Sequence, residues 1–284
     1  MMNRKTVFLY ATSLCNHKCK HCYLPYHGSW DPIDLKNTVA LLKRRYNVVI
    51  NGAEPLLNIN YLDAYECAGQ TFIYSIGIIL ASSEGREMAH ELLKHGIKQV
   101  RLSYHFFVVK ELNAVPENIV EKAIDVLQEC GADVELNVTI ISSNYSLLDE
   151  MCDYCVNRGI RRIKFFVLYR AGAATELDEE LFLTQEQKHF FYNEIQLLRT
   201  KYGIDILKIK IDGDFSEVSP KFKCLYAKDM FAITKDGKVY GCPFAVGNLN
   251  AIGYLNDEKE IIISNNEEYD SSVCHIHDVI RKTN

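Results

Sequence analysis

Three cysteines spaced Cys15-x3-Cys19-x2-Cys22 stand directly behind an apolar run over residues 6–12 and are followed by Tyr23. Three thiolates hold three corners of a cubane iron–sulfur cluster and leave its fourth iron open. A structural zinc site or an ordinary four-iron cluster takes four protein ligands, so a tight group of three implies a position kept for something else. An iron left open in this way binds a substrate or a cofactor. A second ligand set competes: His17 and His21 interleave the cysteines, and a zinc knuckle of Cys15, Cys19, Cys22 plus one histidine is chemically complete. Zinc knuckles are usually small independent units. This trio opens a long chain of alternating strand and helix patterns, a context that favours the cluster.

The C-x3-C-x2-C spacing with an aromatic beside the last Cys resembles the signature of the radical S-adenosylmethionine (radical SAM) enzymes. The resemblance implies that the methionyl amine and carboxylate of SAM chelate the open iron. It also implies that an electron from the cluster breaks a sulfonium C–S bond to give a 5'-deoxyadenosyl radical. Gly52, Ala53, Glu54 and Pro55 are similar to the family's G-G-E-P motif, which holds the SAM amino group. Ala53 replaces the second Gly, which a backbone contact tolerates where the torsions suit a Cβ. Read from the residues alone, Glu54 beside a glycine turn is suited to accept a hydrogen bond from an ammonium. By the same resemblance, Ser103 reaches the SAM carboxylate or ribose, Asn137 belongs to a cofactor-facing fifth strand, and Tyr23 shields the cluster near the adenine. Ser82-Ser83 replaces the Thr-Asn-Gly that many relatives carry after the third strand, a departure at that contact.

Runs rich in Val, Ile, Phe and Tyr over residues 6–12, 47–53, 72–82, 99–105, 133–140 and 162–170 read as strands, and stretches such as 118–130 carry helical periodicity. Six β/α units give a parallel sheet, either doubly wound or closed toward a barrel. The family resemblance implies the second form: an α/β fold with a partial (β/α)6 TIM-like barrel over residues 1–175. A connecting helix and strand over 176–219 and a small C-terminal α+β domain over 220–284 complete the expected organisation. In parallel α/β folds the loops at the carboxyl ends of strands build the site. The cysteine loop, residues 51–55 and residues 103–105 all fall at such ends.

A second informative region begins at Cys224. Cys224-x12-Gly237-x4-Cys242 spans a predicted hairpin turning at Asp236-Gly237, with one thiol upstream and the other at its end. This resembles the opening half of a SPASM or twitch domain, the auxiliary-cluster modules of some radical SAM enzymes. Only Cys274 remains beyond it, which fits the shorter twitch form with one auxiliary iron–sulfur cluster. His277 stands where a relative ends its site with a second Cys, and imidazole does ligate such clusters. A solvent-facing His277 and an open auxiliary iron that grips substrate are the other readings. Cys152 and Cys155, beside Leu147, Leu148 and Met151, read as a core stripe.

A chain of 284 residues, 48% hydrophobic, buries a large core and is neither disordered nor fibrous. Its net charge of -5 supplies no global basic field, which argues against nucleic acid as a partner. The runs Lys43-Arg44-Arg45 and Arg161-Arg162 read as solvated helix ends and strand entries. No segment approaches the ~18 apolar residues of a membrane span and no secretory pattern opens the chain, so a cytoplasmic protein is expected. Ten cysteines then serve as ligands and free thiols.

The combined expectation is an enzyme that abstracts hydrogen from a positioned C–H bond, with the auxiliary cluster accepting an electron. Net oxidation of a ribosomally made peptide is the first reading. A carbinol or sugar-like small molecule is the second, and a zinc-stabilised binding module is the non-enzymatic alternative. Flavodoxin or ferredoxin is the expected electron donor. With no recognition domain predicted ahead of residue 6, a standalone peptide-recognition protein is an expected partner. No catalytic side chain is assigned from sequence.

Overall fold

The computed structural model describes residues 4–24, 27–219, 221–264 and 271–276. Strands and helices alternate: β1 (Thr6–Tyr10), α1 (Pro32–Leu42), β2 (Asn47–Asn51), α2 (Leu62–Ala68), β3 (Phe72–Ser75), α3 (Gly85–Lys94) and β4 (Gln99–Ser103). The short α4 (Val109–Leu112) and then α5 (Glu117–Glu129), β5 (Asp133–Ile140), α6 (Leu148–Asn157) and β6 (Arg162–Val167) follow. The long α7 (Gln185–Ile206), broken at Gly203, leads to β7 (Lys208–Asp212). The last segment carries β8 (Met230–Ile233), β9 (Lys238–Tyr240), β10 (Gly253–Leu255) and β11 (Ile261–Ile263).

Helix starts are written locally. The Asp31 side chain accepts from the Ile33 and Asp34 amides ahead of α1, with Pro32 at the first turn. Thr184 and Gln187 close a reciprocal capping box on α7. β5 is buried at seven of its eight positions, as befits a strand with a parallel neighbour on each side.

The parallel strands fall in two sheets, β8-β1-β2 and β3-β4-β5-β6-β7, with β9, β10 and β11 added antiparallel beyond β8. This is the expected partial TIM-like barrel, with two additions to the six-strand count. β7 lies parallel beside β6, and β8 lies parallel beside β1, with Thr6 opposite Met230. The predicted hairpin is present as β8 and β9, turning through Gly237 at φ 76°, and its first strand continues the barrel sheet. The third strand is shorter than the predicted 72–82. After Ser75 the chain turns at Gly77, φ 86°, so the apolar residues of that stretch pack from a turn instead of a strand.

No backbone ladder joins β2 to β3, and two side chains span the gap. The buried Gln70 amide accepts from Ile50 N at 2.7 Å and donates to Ile50 O at 3.1 Å and Phe72 O at 2.9 Å. It thus satisfies edge groups of β2 that burial would otherwise leave unpaired. Glu54 makes the second link, described below. Cys152 and Cys155 are fully buried in the core. Among the described residues, no helix is long and apolar enough to cross a membrane.

Candidate functional site

The cysteine loop leaves the carboxyl end of β1 and is fastened on several sides. Ala53 N donates to Thr12 O at 2.9 Å and Glu54 N to Leu14 O at 3.0 Å, so the turn after β2 lies against the approach to Cys15. The fit at Gly52 is close, because a Cβ would lie 3.3 Å from both Thr12 Cγ2 and Thr12 O. Lys20 N donates to Leu112 O at 2.8 Å, and Asn113 Nδ2 donates to Lys18 O at 2.7 Å. Ala173 N donates to Cys22 O at 2.9 Å.

Cys15, Cys19, Cys22, Cys224, Cys242 and Cys274 all line one cavity of ≈740 Å³. Tyr23, Gly52, Ala53, Ser103 and Asn137 line it as well. The two trios come from opposite ends of the chain and meet across the same space. His277 lies outside the described residues.

A single tetrahedral zinc ion with Zn–S near 2.3 Å draws its sulfurs to about 3.8 Å from one another. Among the described residues, the group of His, Cys, Asp and Glu ligand atoms gathered within 4.8 Å is Asp63, Glu66 and His95, on the surface, and neither cysteine trio is drawn in so far. His17 is bonded through Nε2 to Asn113 O at 2.8 Å, and the His21 ring packs on His105 at 4.5 Å. Burial pushes the Cys19 thiol up to about 12, with Cys22 and Cys15 adding to the effect, and burial also raises Cys15 and Cys22. Cys242 is raised by burial, with the Cys274 and Cys224 thiols contributing. Thiols that must ionise to ligate, in surroundings that penalise their charge, suit a site where a polycationic centre compensates it.

Three buried polar atoms on the cavity wall have no hydrogen-bond partner among the described residues: His21 Nδ1, Asn51 Oδ1 and Asn137 Oδ1. Unpaired groups of this kind cost about 1–3 kcal/mol each unless a ligand or water meets them. Asn137 was a sequence candidate for the cofactor and His21 one for zinc; Asn51 was not singled out, although it directly precedes Gly52. Burial lowers the His21 pKa to about 4 and holds the His105 pKa well below the usual histidine range, so both rings are neutral near pH 7.

Glu54 ties this turn to its neighbours. Its carboxylate does not face the cavity: it is fully buried and accepts from Ile76 N at 2.8 Å, Leu56 N at 3.1 Å and Ser75 Oγ at 2.9 Å. Three donors leave one of the carboxylate's roughly four lone-pair sites unused. Glu54 fixes the turn after β2 to the end of β3, and the polar groups this turn offers the cavity come from Gly52 and Ala53.

The last segment is joined to the cysteine loop through Asn248. Its Nδ2 donates to Phe244 O at 3.0 Å, Val246 O at 3.1 Å and Tyr23 O at 3.4 Å, while its Oδ1 accepts from Gly172 N at 2.7 Å. Tyr23 packs on Phe244 at 4.6 Å, and its hydroxyl lies 3.2 Å from that of Tyr10, which donates to Pro243 O at 3.3 Å. Gly172 has φ 57°, and a Cβ there would lie 2.5 Å from Cys22 O and 2.6 Å from Tyr23 O. Gly172→Ala is therefore expected to displace the Cys22–Tyr23 peptide, costing at least about 2 kcal/mol. Urea unfolding and the iron bound after reconstitution check this; unchanged values of both would separate Gly172 from the site.

In sequence, no family model matches the chain and no curated protein matches it. In structure there are clear neighbours. The Streptococcus suis protein SuiB bound to S-adenosylmethionine superposes with a TM-score of 0.70 at 16% identity over 90% of this chain, which spans 64% of the SuiB chain. The structure of anSMEcpe with bound AdoMet and the Cp18Cys peptide gives a TM-score of 0.61 at 16% identity, covering 89% of this chain and 78% of that one. Escherichia coli coproporphyrinogen III oxidase HemN, a radical SAM enzyme, gives 0.50 at 10% identity over 70% of this chain and 53% of its own. The fold is thus that of the radical SAM enzymes.

Proposed function

We propose that the chain is a radical SAM enzyme that oxidises a ribosomally made peptide. In this reading Cys15, Cys19 and Cys22 hold a four-iron cluster whose open iron takes SAM, and Cys224, Cys242 and Cys274 hold one auxiliary iron–sulfur cluster. The observation that carries it is the opening of both cysteine trios into a single cavity. When bound, the first cluster with SAM supplies a primary-carbon radical that abstracts hydrogen, and the auxiliary cluster supplies an electron acceptor.

The chain's own residues then bind and orient. The backbone of Gly52 and Ala53 meets the amino group of SAM, and Ser103 and Asn137 meet its carboxylate or ribose. Asn137 Oδ1 and Asn51 Oδ1 await donors, which a hydroxyl or an ammonium provides. Tyr23 shields the first cluster on the side of the last segment, and His277 is the proposed fourth ligand of the second. The peptide substrate is supported by the peptide held in anSMEcpe and by the aromatic rings of Phe8, Phe72, Tyr74 and Phe166 on the cavity wall. A flavodoxin or ferredoxin supplies electrons, and a separate recognition protein delivers the peptide.

The test begins with anaerobic reconstitution. With dithionite and SAM the protein is expected to release 5'-deoxyadenosine. If a short peptide is encoded beside its gene, the protein is expected to remove two hydrogen atoms from that peptide. A colourless, iron-free protein that binds zinc would replace this reading with a zinc-stabilised module. Turnover of a sugar-like carbinol with every peptide inert would move it to a small-molecule dehydrogenase.

A further inference from the structure

The inward positions of a parallel barrel are normally filled by branched apolar side chains in packed layers. Here they are polar across four adjacent strands. Arg101 and Ser103 on β4, Asn137 and Thr139 on β5, Lys164 and Phe166 on β6, and Asp212 on β7 all line the cavity. The strand registers set Ser103, Asn137, Lys164 and Lys210 in one row across the sheet, with Arg101 and Glu135 paired in the row beneath.

The charges in these rows do not cancel. Glu135, fully buried, accepts from Lys210 Nζ at 2.8 and 3.1 Å, and Arg101 Nε lies 3.6 Å from it. Lys164 Nζ donates to Asp212 Oδ2 at 2.8 Å. Three cations thus face two anions, and the surplus charge rests on the cation with donors to spare. Arg101 Nε donates to Gln99 Oε1 at 3.2 Å and Nη1 to the Tyr74 hydroxyl at 2.9 Å, while Nη2 donates to no group among the described residues. Its guanidinium lies 3.5 Å over the Phe72 ring, which fixes the orientation of the fork without using its hydrogens. Lys210 already satisfies Glu135 through both oxygens, so Arg101 is not needed there as a counterion.

We propose that Arg101 binds a carboxylate of the substrate, deep in the barrel. This rests on the peptide-oxidising reading above and narrows it to a peptide that presents an acidic side chain or its C-terminal carboxylate to the barrel floor. Arg101 lies two residues before Ser103, roughly 6.6 Å deeper along the strand, below the level proposed for the cofactor. The flat fork matches a carboxylate in two-point contact, and the Phe72 and Tyr74 rings lie beside the guanidinium.

Ligand-observed NMR on the reconstituted, SAM-loaded protein tests this with three probes. N-acetylglutamic acid α-amide carries the side-chain carboxylate alone, N-acetylalanine the C-terminal carboxylate alone, and N-acetylglutamine α-amide is the neutral isostere. One of the two carboxylates is expected to bind at least about tenfold more tightly than the isostere. Which of them binds identifies the source. Arg101→Gln is expected to remove that preference, and Arg101→Lys, which keeps the charge beside Glu135 but not the fork, to weaken it. Equal binding of all three probes to the unaltered protein overturns the proposal whether or not the variants fold. So does undiminished preference in Arg101→Gln, or a preference present in protein without SAM and lost when SAM is loaded, which would give Arg101 to the cofactor's own carboxylate. SAM cleavage by the unaltered protein is measured separately. Its absence beside an intact carboxylate preference would remove the radical SAM reading and leave the site; cleavage without preference would remove the site alone.

Discussion

Cys15→Ala is expected to abolish 5'-deoxyadenosine formation and to reduce the iron bound after reconstitution from about eight to about four atoms per chain. The same outcome is expected of Cys19→Ala and Cys22→Ala, because a cubane that must offer one open iron has no ligand to spare. The complementary variant, with Cys224, Cys242 and Cys274 all changed to Ala, is expected to retain the other half of the iron together with SAM cleavage in the absence of peptide. Iron determination and chromatography of the nucleoside product read both. Undiminished cleavage by the Cys15 variant would remove the first trio from the chemistry. Iron unaffected by the triple change would remove the second.

The second large effect is expected at Glu54 and appears in stability. Burial raises the Glu54 pKa to about 7 in the folded chain, against about 4.3 in an unfolded one. Between these values the native state keeps the proton and the unfolded state does not, so ∂ΔG/∂pH is negative across the window. The stabilisation is fully present below about 4.3 and is lost as pH rises through about 7, with a span on the order of 3 kcal/mol. Other groups titrate in the same range, His21 among them with the opposite sign, so the quantity to measure is the difference between the unaltered protein and Glu54→Gln. Urea unfolding from pH 4.5 to 8 is expected to show the advantage of the unaltered protein shrinking as pH rises. A constant difference would mean that Glu54 has an ordinary pKa. Glu54→Ala removes the acceptor for Ile76 N, Leu56 N and Ser75 Oγ together, and is expected to cost about 3 kcal/mol or more at pH 5.

Much of this site was legible before any coordinates. The cysteine spacing and the six β-rich runs are local patterns, and local patterns survive into structure. The bounds of the third strand were not, because Ile76, Ile78, Ile79 and Leu80 are as apolar in a turn packed on the core as they would be in a strand. The turn after β2 was visible as a Gly-x-x-Pro motif, yet the direction of the Glu54 side chain depends on donors at the end of β3, about twenty residues away. Arg101, Lys164 and Asp212 were passed over for a related reason. Each is an ordinary charged residue in its own strand, and only the strand registers bring them to one wall. The pairing of β8 with β1 carries no local signal at all.

That pairing bears on the order in which the protein is made. β1 gains its first neighbour once β2 is synthesised, but Thr6 meets Met230 only after 224 further positions have been added. At about 5–20 residues per second this is roughly 10 to 45 seconds, during which one edge of the strand that leads into the cysteine loop has no partner. Exposed strand edges recruit other chains. Until the last segment is made, that edge of β1 is open to pairing with other chains.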